Sequence, residues 1–483
     1  MSTLSIPRVR PASAAVNPGY RTLWRWHFYA GLFVMPFLIV LAITGTLYCF
    51  QPQIEPLLYR DRLVVEPEAK PRLNEDALLA YAYAAMPVGA VATSARITTD
   101  PARSAEFVFR FAGGGRESVY LNPYSGEVLG TLSVDGRFMQ VTRMIHRKLL
   151  LGKPGELLME LVACWTLVMI GTGIALWWPA FAASARDALV PRLSLRGRPL
   201  WKSLHAAIGI WLAAGALAFV LTGLPWTGSW GKQFKSLATS VSLGAPPGAW
   251  GGLPLRSRAP GGAAPHPQAN HHAADQDSRP GMTMDDLPLS NVPWAVGAVA
   301  VPRSADTSSN GTVSLGRVVG IMRTLGVDSG YEIALPAAAD GVYTVSYFPP
   351  DPKAERTVYV DRFSGEILKD IRYRDYGAVS KAISYGTSLH MGRYFGLRNQ
   401  LLCTAISLGL AAMAATGFVM WWKRRPARSL GAPGRERAVP PMRVWKTGLI
   451  ALGIVFPLMG ATIVAVWLVD RLVFGRMARS QAL

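Results

Sequence analysis

The chain has 483 residues, half of them hydrophobic, a mean hydropathy of +0.22 and a formal net charge of +20. These values exclude an ordinary water-soluble domain, and the long polar stretches exclude a pure membrane bundle. The charge does not point to nucleic acid, because residues 1–26, 179–202 and 423–446 hold 17 basic and two acidic residues, +15 of the +20.

In chain order, residues 1–50 comprise a basic start and a first apolar run, Phe28–Phe50. The run is too long for a signal peptide, lacks a small-residue cleavage site and recurs later, so it reads as a retained span. Residues 51–145 are polar enough to stand outside a membrane. Asn74–Met86 has helical spacing with an Asn at its start, and Ala95–Thr99, Glu106–Ala112 and Glu117–Leu129 read as strands. The next segment, 146–178, holds His146 and a second apolar run, Leu157–Trp178, and 179–202 is a basic loop. Residues 203–224 carry the third run, Leu204–Leu224.

Residues 225–389 form a second polar module, with a helix over Ser314–Leu325 and strands over Tyr331–Leu335 and Gly341–Phe348. Within it, about 244–307 is rich in Gly, Pro, Ala and Ser without periodicity and reads as a flexible insertion. His266, His271 and His272 lie there beside Met282 and Met284. A solvated linker is the expected reading, and metal scavenging the alternative. Residues 390–422 hold His390 and the fourth run, Leu401–Trp422. A basic loop, 423–446, and a fifth run, Thr447–Val469, in 447–483 complete the chain. A span needs about 20 residues, so five are expected. The fold class is thus an integral membrane α-helical bundle, four core helices in two tandem repeats plus a fifth C-terminal helix, with two α+β modules outside.

Basic loops face the cytoplasm, which places 51–145 and 225–389 on the outer side. The tail, with Arg471, Arg476 and Arg479, falls outside against that rule. The three cysteines, Cys49, Cys164 and Cys403, all fall inside the expected spans, form no Cys-x-x-Cys-His motif, and read as small packing residues.

The repeat is explicit. His27 precedes Thr44-Gly45 by 17 residues, and His205 precedes Thr222-Gly223 by 17; His146 precedes Trp177 by 31, and His390 precedes Trp421 by 31. Each of those tryptophans opens a Trp-Trp pair, with Thr172-Gly173 or Thr416-Gly417 five residues earlier. A bis-histidine b-type haem needs two imidazoles facing across a plane in an apolar slot. A pseudo-twofold axis along the membrane normal pairs His27 with His205 and His146 with His390, which predicts two haems. The bland alternative is four interfacial histidines at helix ends. Arg25 and Lys202 before the first pair, and Arg147, Lys148 and Arg393 after the second, are candidate propionate partners, or ordinary snorkelling charges. An unbroken helix from His146 to Trp177 would span about 46 Å, so Gly152-Lys153-Pro154-Gly155 is expected to break it. No Gly-x-Gly-x-x-Gly or phosphate loop is present, so electrons must come from a separate cytoplasmic or membrane donor.

The Ser125-Gly126-Glu127 and Ser364-Gly365-Glu366 hairpins, the segment Thr222-Gly223-Leu224-Pro225-Trp226-Thr227-Gly228-Ser229-Trp230 and the Trp-Trp helix ends resemble the PepSY-associated transmembrane family. That family includes iron-regulated inner-membrane proteins and ferric-siderophore reductases. The resemblance implies two periplasmic PepSY-like domains, two b-type haems in the bacterial inner membrane, and reduction of a ferric siderophore or other ferric chelate to release Fe(II). Two rivals remain: a non-enzymatic PepSY protein that restrains peptidases, and a siderophore or iron transporter. The absence of charge at mid-span weighs against the transporter.

Overall fold

The computed structural model describes residues 19–246, 282–304, 311–427, 430–434, 436 and 441–469. His266, His271 and His272 and the arginines of the tail lie outside the described residues. The chain divides into two compact units. Among the described residues, one lies within 1–39, 161–220 and 409–483, the other within 40–160 and 221–408.

The first helices are α1 (Tyr20–Cys49), α2 (Gln51–Leu58), α3 (Arg60–Leu63) and α4 (Glu75–Ala84). Strands β1 (Val91–Ile97), β2 (Ala105–Arg110), β3 (Arg116–Leu121) and β4 (Val128–Ser133) follow. Next come α5 (Phe138–Lys148), α6 (Gly152–Ala183), α7 (Ala185–Leu189), α8 (Arg198–Gly223), α9 (Trp230–Ser240) and α10 (Leu315–Thr324). Strands β5 (Tyr331–Ala334), β6 (Tyr343–Tyr347), β7 (Arg356–Val360) and β8 (Ile367–Arg372) precede α11 (Ala378–His390), α12 (Leu397–Arg424), α13 (Arg443–Val455) and α14 (Pro457–Val469).

Four helices are long and apolar enough to cross a membrane: Tyr20–Cys49, Gly152–Ala183, Arg198–Trp226 and Leu397–Arg424. Exposed Ile43, Ile174, Leu221 and Leu408 give them apolar outer faces. The expected fifth span is not one helix. Pro457 has no N–H to continue the ladder, so the chain breaks at Phe456 into α13 and α14, of 13 residues each. At about 1.5 Å per residue neither crosses a bilayer alone. The two helices pack on each other where a Cβ on Gly460 would meet the Gly453 carbonyl at 2.5 Å.

The two expected modules are one sheet. All eight strands pair antiparallel in the order β4-β3-β2-β1-β5-β6-β7-β8. The joint is β1 against β5, with Ala95 opposite Ile333 and Arg96 opposite Glu332. Alternation assigns the faces. Phe107, Phe109, Val119, Leu121, Ile333, Val345, Val358 and Val360 pack against Leu78 and Ala82 of α4 and Leu315, Val318 and Met322 of α10. The two helices start where Asn74 and Ser314 accept from the backbone N–H three residues on.

The Ser-Gly-Glu hairpins follow from local chemistry. Ser125 and Ser364 accept from the Glu127 and Glu366 N–H, while Gly126 (φ 79°) and Gly365 (φ 75°) take the left-handed conformation.

The opposite face carries Ser94, Glu106, Ser118, Tyr120 and Glu332, all buried. Part of its cover comes from 282–304, which corrects the expectation of a structureless insertion. Met284, Ala295, Val296 and Val299 form a core with Tyr359, Ile371 and Tyr376. Trp294 is 2 % exposed and donates to the Pro225 carbonyl at 2.9 Å. Glu332 accepts from the Ser290 N–H, which gives that backbone donor the partner burial requires.

Candidate functional site

The break after His146 lies slightly upstream of the expected one. Leu149 (φ 51°) and Leu150 (φ 58°) end α5, and Gly152-Lys153-Pro154-Gly155 begins α6 rather than interrupting it. Gly155 is required, since a Cβ there would sit 1.8 Å from the Lys148 carbonyl oxygen. His390 likewise ends its own short helix, α11, before α12 starts at Leu397. His27 and His205 lie within α1 and α8.

The rings meet in two pairs. His27 and His205 have centroids 6.3 Å apart at 84°, and His146 and His390 have centroids 6.4 Å apart at 85°. Each pair sits within one compact unit. An imidazole nitrogen binds a metal at about 2 Å, so each pair is close enough for both rings to hold one metal between them.

Every ring is oriented by the same device. His27 Nδ1 contacts Thr172 Oγ1 at 3.0 Å, and His205 Nδ1 contacts Thr416 Oγ1 at 2.9 Å. His146 Nδ1 contacts Thr44 Oγ1 at 2.9 Å, and His390 Nδ1 contacts Thr222 Oγ1 at 2.8 Å. The hydroxyls of Thr44, Thr172 and Thr416 donate to carbonyls of their own helices, at 2.6, 2.7 and 3.0 Å. A hydroxyl has one proton, so these threonines accept from histidine. The proton is therefore on Nδ1, and the Nε2 lone pair is free to bind a metal. The Met169 carbonyl, 3.1 Å from His27 Nδ1, can only accept and fixes the same tautomer. Such supporting contacts are what a ligating histidine needs.

The glycine after each threonine makes room for the ring. A Cβ on Gly45, Gly173, Gly223 or Gly417 would lie 3.3, 3.2, 3.7 or 3.5 Å from Cε1 of its histidine. The Thr-Gly spacing is legible in the sequence; the role as a ring cradle is not.

His146 and His390 stand outside the four long helices. Desolvation, reinforced by the neighbouring His390 and Arg147, holds the His146 pKa down to about 3, and desolvation holds His390 to about 4. Both are neutral near pH 7, the form that ligates. Among the described residues no cluster of three or more His, Cys, Asp or Glu side chains could hold a metal ion. A group held by two imidazoles alone would have to bring its remaining donors with it. Haem fits that description, and a Cβ on Gly31, one turn beyond His27, would meet nothing within 4 Å.

The candidate propionate partners are placed variously. Arg147 donates to the Trp226 carbonyl at 3.3 Å, and Arg393 to the Phe348 carbonyl at 2.6 Å. Each bond uses one of five guanidinium donors. Arg25 donates to the Pro433 carbonyl and lies over Tyr29. Lys202 is exposed, and Lys148 is 3.9 Å from Glu156.

Residues around His390 that sequence reasoning missed explain the Thr222–Trp230 segment. Glu160, 2 % exposed, accepts from the Ser229 and Trp230 N–H at 3.1 and 3.0 Å and so caps α9. Trp226 Nε1 donates to Thr387 Oγ1, one turn before His390 on α11. A Cβ on Gly228 would meet Glu156 Oε1 at 2.1 Å. The signal available was Glu160 itself, an acid near the start of an apolar run.

Near His27, Trp26 stacks on Trp165 with centroids 6.0 Å apart, and Trp165 Nε1 donates to Thr462 Oγ1. The first indole of each Trp-Trp pair anchors a loop, Trp177 to the Ala188 carbonyl and Trp421 to the Leu430 carbonyl.

Residues 24–424 match the family model described as the PepSY-associated TM region. The chain belongs to the PepSY-associated TM family. No curated protein matches it. All four histidines and their Thr-Gly cradles fall inside the matched range, as does the whole eight-stranded sheet. Helices α13 and α14 lie beyond it. As a PepSY-associated TM protein with four long apolar helices, the chain is a membrane protein.

Proposed function

We propose that the chain is a di-haem transmembrane reductase of the bacterial inner membrane, passing electrons from a cytoplasmic or membrane donor to a periplasmic ferric siderophore or other ferric chelate. One observation carries this reading. Four histidines, each with Nδ1 on a threonine and Cε1 near the following glycine, stand as two pairs with ring centroids 6.3 and 6.4 Å apart. A single interfacial histidine has no need of such a cradle; four alike suit ligation.

Bound haem supplies a one-electron couple at each pair. The protein's own groups set the rest. The threonines hold the rings and the tautomer, and the apolar helices limit water. Arg147 and Arg393 keep donors for propionates or an anionic chelate. The basic segments next to His27 and His205 in sequence support a cytoplasmic side for that pair. Adding one electron to a ferric chelate gives Fe(II), which hard oxygen ligands hold less well.

The test is spectroscopic. Protein purified from haem-replete cells should show a Soret band, a sharp α-band on reduction and two haems per chain. After reduction in proteoliposomes, adding a ferric hydroxamate should reoxidise the haem while a ferrous trap colours. No Soret band removes the haem reading. Haem that stays reduced beside the ferric chelate removes the substrate.

A further inference from the structure

Two of the chain's three cysteines meet beside His390. Cys49 ends α1 and Cys403 lies in the second turn of α12, yet both thiols reach the same backbone carbonyl, and both residues are buried. Each Sγ lies 3.8 Å from the carbonyl oxygen of His390, and Cys403 Sγ is 3.3 Å from that of Leu389. Side-chain amides attend the pair. Asn399 Nδ2 donates to Cys403 Sγ at 3.3 Å and to the Leu389 carbonyl at 2.9 Å, and Gln400 Nε2 donates to the Cys49 carbonyl at 2.8 Å. The turn after α11 closes on them: at Gly392 (φ +71°) a Cβ would lie 3.3 Å from both Cβ and Sγ of Cys49.

The expectation of cysteines as small packing residues does not account for this arrangement. A packing role does not require two thiols to share one acceptor. We infer that Cys49 and Cys403 are a reversible dithiol–disulfide site, whose redox state sets how the end of α11 is held. The oxidant is a low-molecular-weight or protein disulfide, R–S–S–R. One cysteine thiolate attacks it, giving a mixed disulfide and releasing R–S⁻. The second cysteine sulfur then displaces the other R–S⁻. A Cys49–Cys403 S–S bond forms and the oxidant's S–S bond breaks. Two electrons pass to the oxidant, and the two thiol protons finish on two R–SH.

In the dithiol state the S–H groups can donate to the His390 carbonyl at the end of α11. In the disulfide state neither sulfur has a proton to give. Oxidation thereby removes support from the helix end that carries His390. Burial makes exchange slow unless the turn 391–396 opens.

The thiol chemistry stands without haem; only its consequence at His390 rests on the proposed function. The experiment uses the full chain in lipid nanodiscs, treated with one equivalent of dipyridyl disulfide or with excess dithiothreitol. The protein is then denatured, its thiols are alkylated, and it is mapped by peptide mass spectrometry. The reduced chain should carry three alkylated cysteines. The oxidised chain should give a peptide cross-linking Cys49 to Cys403, with Cys164 outside the cross-link. C49S and C403S should each abolish the cross-link. Cys49 and Cys403 both recovered without a cross-link, or a cross-link through Cys164, overturns the inference. In haem-loaded protein, oxidation should shift the midpoint potential of one haem, and C49S should remove that shift. A cross-link in a preparation without a Soret band would leave the dithiol site standing and the haem reading fallen.

Discussion

The two histidine pairs use the same cradle but exchange the elements that bear it. In the first pair, His27 and His205 stand on the long helices α1 and α8, and their threonines on α6 and α12. In the second, His146 and His390 stand on the short helices α5 and α11, of 11 and 13 residues, and their threonines on α1 and α8. Helices that short are held by tertiary contacts rather than by their own propensity. The second pair therefore depends on neighbours the first does not use: Trp226 on Thr387, Ser384 on Glu355 and the two thiols under His390. The first pair depends on helix packing, and its His27 gains carbonyl support from Met169. One chemical unit is thus rigid by length in one place and by attachment in the other.

The broadest way to break this comparison is to remove a ring. H27A, H205A, H146A and H390A should each reduce haem from two to one per chain by haemochrome assay, because each pair would hold its haem through both imidazoles. Two haems retained in any of them would remove that histidine from its pair.

The next effect separates the pairs by pH. Glu355 is 2 % exposed and accepts from Ser384 Oγ on α11 at 3.0 Å. Desolvation raises its pKa from 4.5 to about 7 against the opposing hydrogen bond of Ser384. The folded protein then keeps a proton, between pH 4.5 and about 7, that the unfolded chain has released. Stability contributed by this group is greatest below pH 4.5, falls as pH rises through that window and levels off above it. The full change is on the order of 3 kcal/mol. E355Q should flatten the slope of thermal stability against pH and exceed the parent above pH 7. An unchanged slope would mean that Glu355 does not titrate there.

How much of this was legible depends on how local each feature is. The helices starting at Asn74 and Ser314 and the turns at Gly126 and Gly365 were readable, because cap and turn chemistry lies within a few residues. The histidine pairs were proposed from the duplicated spacing alone. The β1–β5 joint was not readable, because alternation tells which face a residue takes but not which strand lies beside it. Residues 282–304 looked structureless by composition, and their order comes from distant partners such as Pro225 and Tyr359. The fifth span misled although its signal was present: Pro457 sits in the middle of the apolar run. The cysteines read as bland because their meeting depends on two helix ends far apart in sequence.

The supporting threonines offer a finer contrast. T44V should lower haem affinity at the second pair by about 10- to 100-fold, as loss of a ligand-orienting contact usually does. T172V should be milder, since the Met169 carbonyl still holds Nδ1 of His27. Thr→Ser at either position should restore binding, because the hydroxyl rather than the methyl does the orienting. Equal losses in T44V and T172V, measured by haem titration of the apoprotein, would remove the distinction between the pairs.

The smallest predicted effect divides each pair within itself. A methyl added at Gly45 or Gly173 would lie 3.3 or 3.2 Å from the Cε1 of His146 or His27, closer than ordinary contact. At Gly223 and Gly417 the same methyl would lie 3.7 and 3.5 Å from His390 and His205, ordinary van der Waals range. G45A and G173A should therefore tilt one ring by a few tenths of an ångström, at about 1 kcal/mol. G223A and G417A gain helix propensity, up to about 1 kcal/mol, without displacing a ring. Low-spin haem signals in electron paramagnetic resonance report the angle between axial imidazoles. They should shift in G45A and G173A and stay put in G223A and G417A. If all four variants shift alike, the glycines act through the helices and not through the rings. The threonine would then be the only side chain of the Thr-Gly pair that the histidine feels.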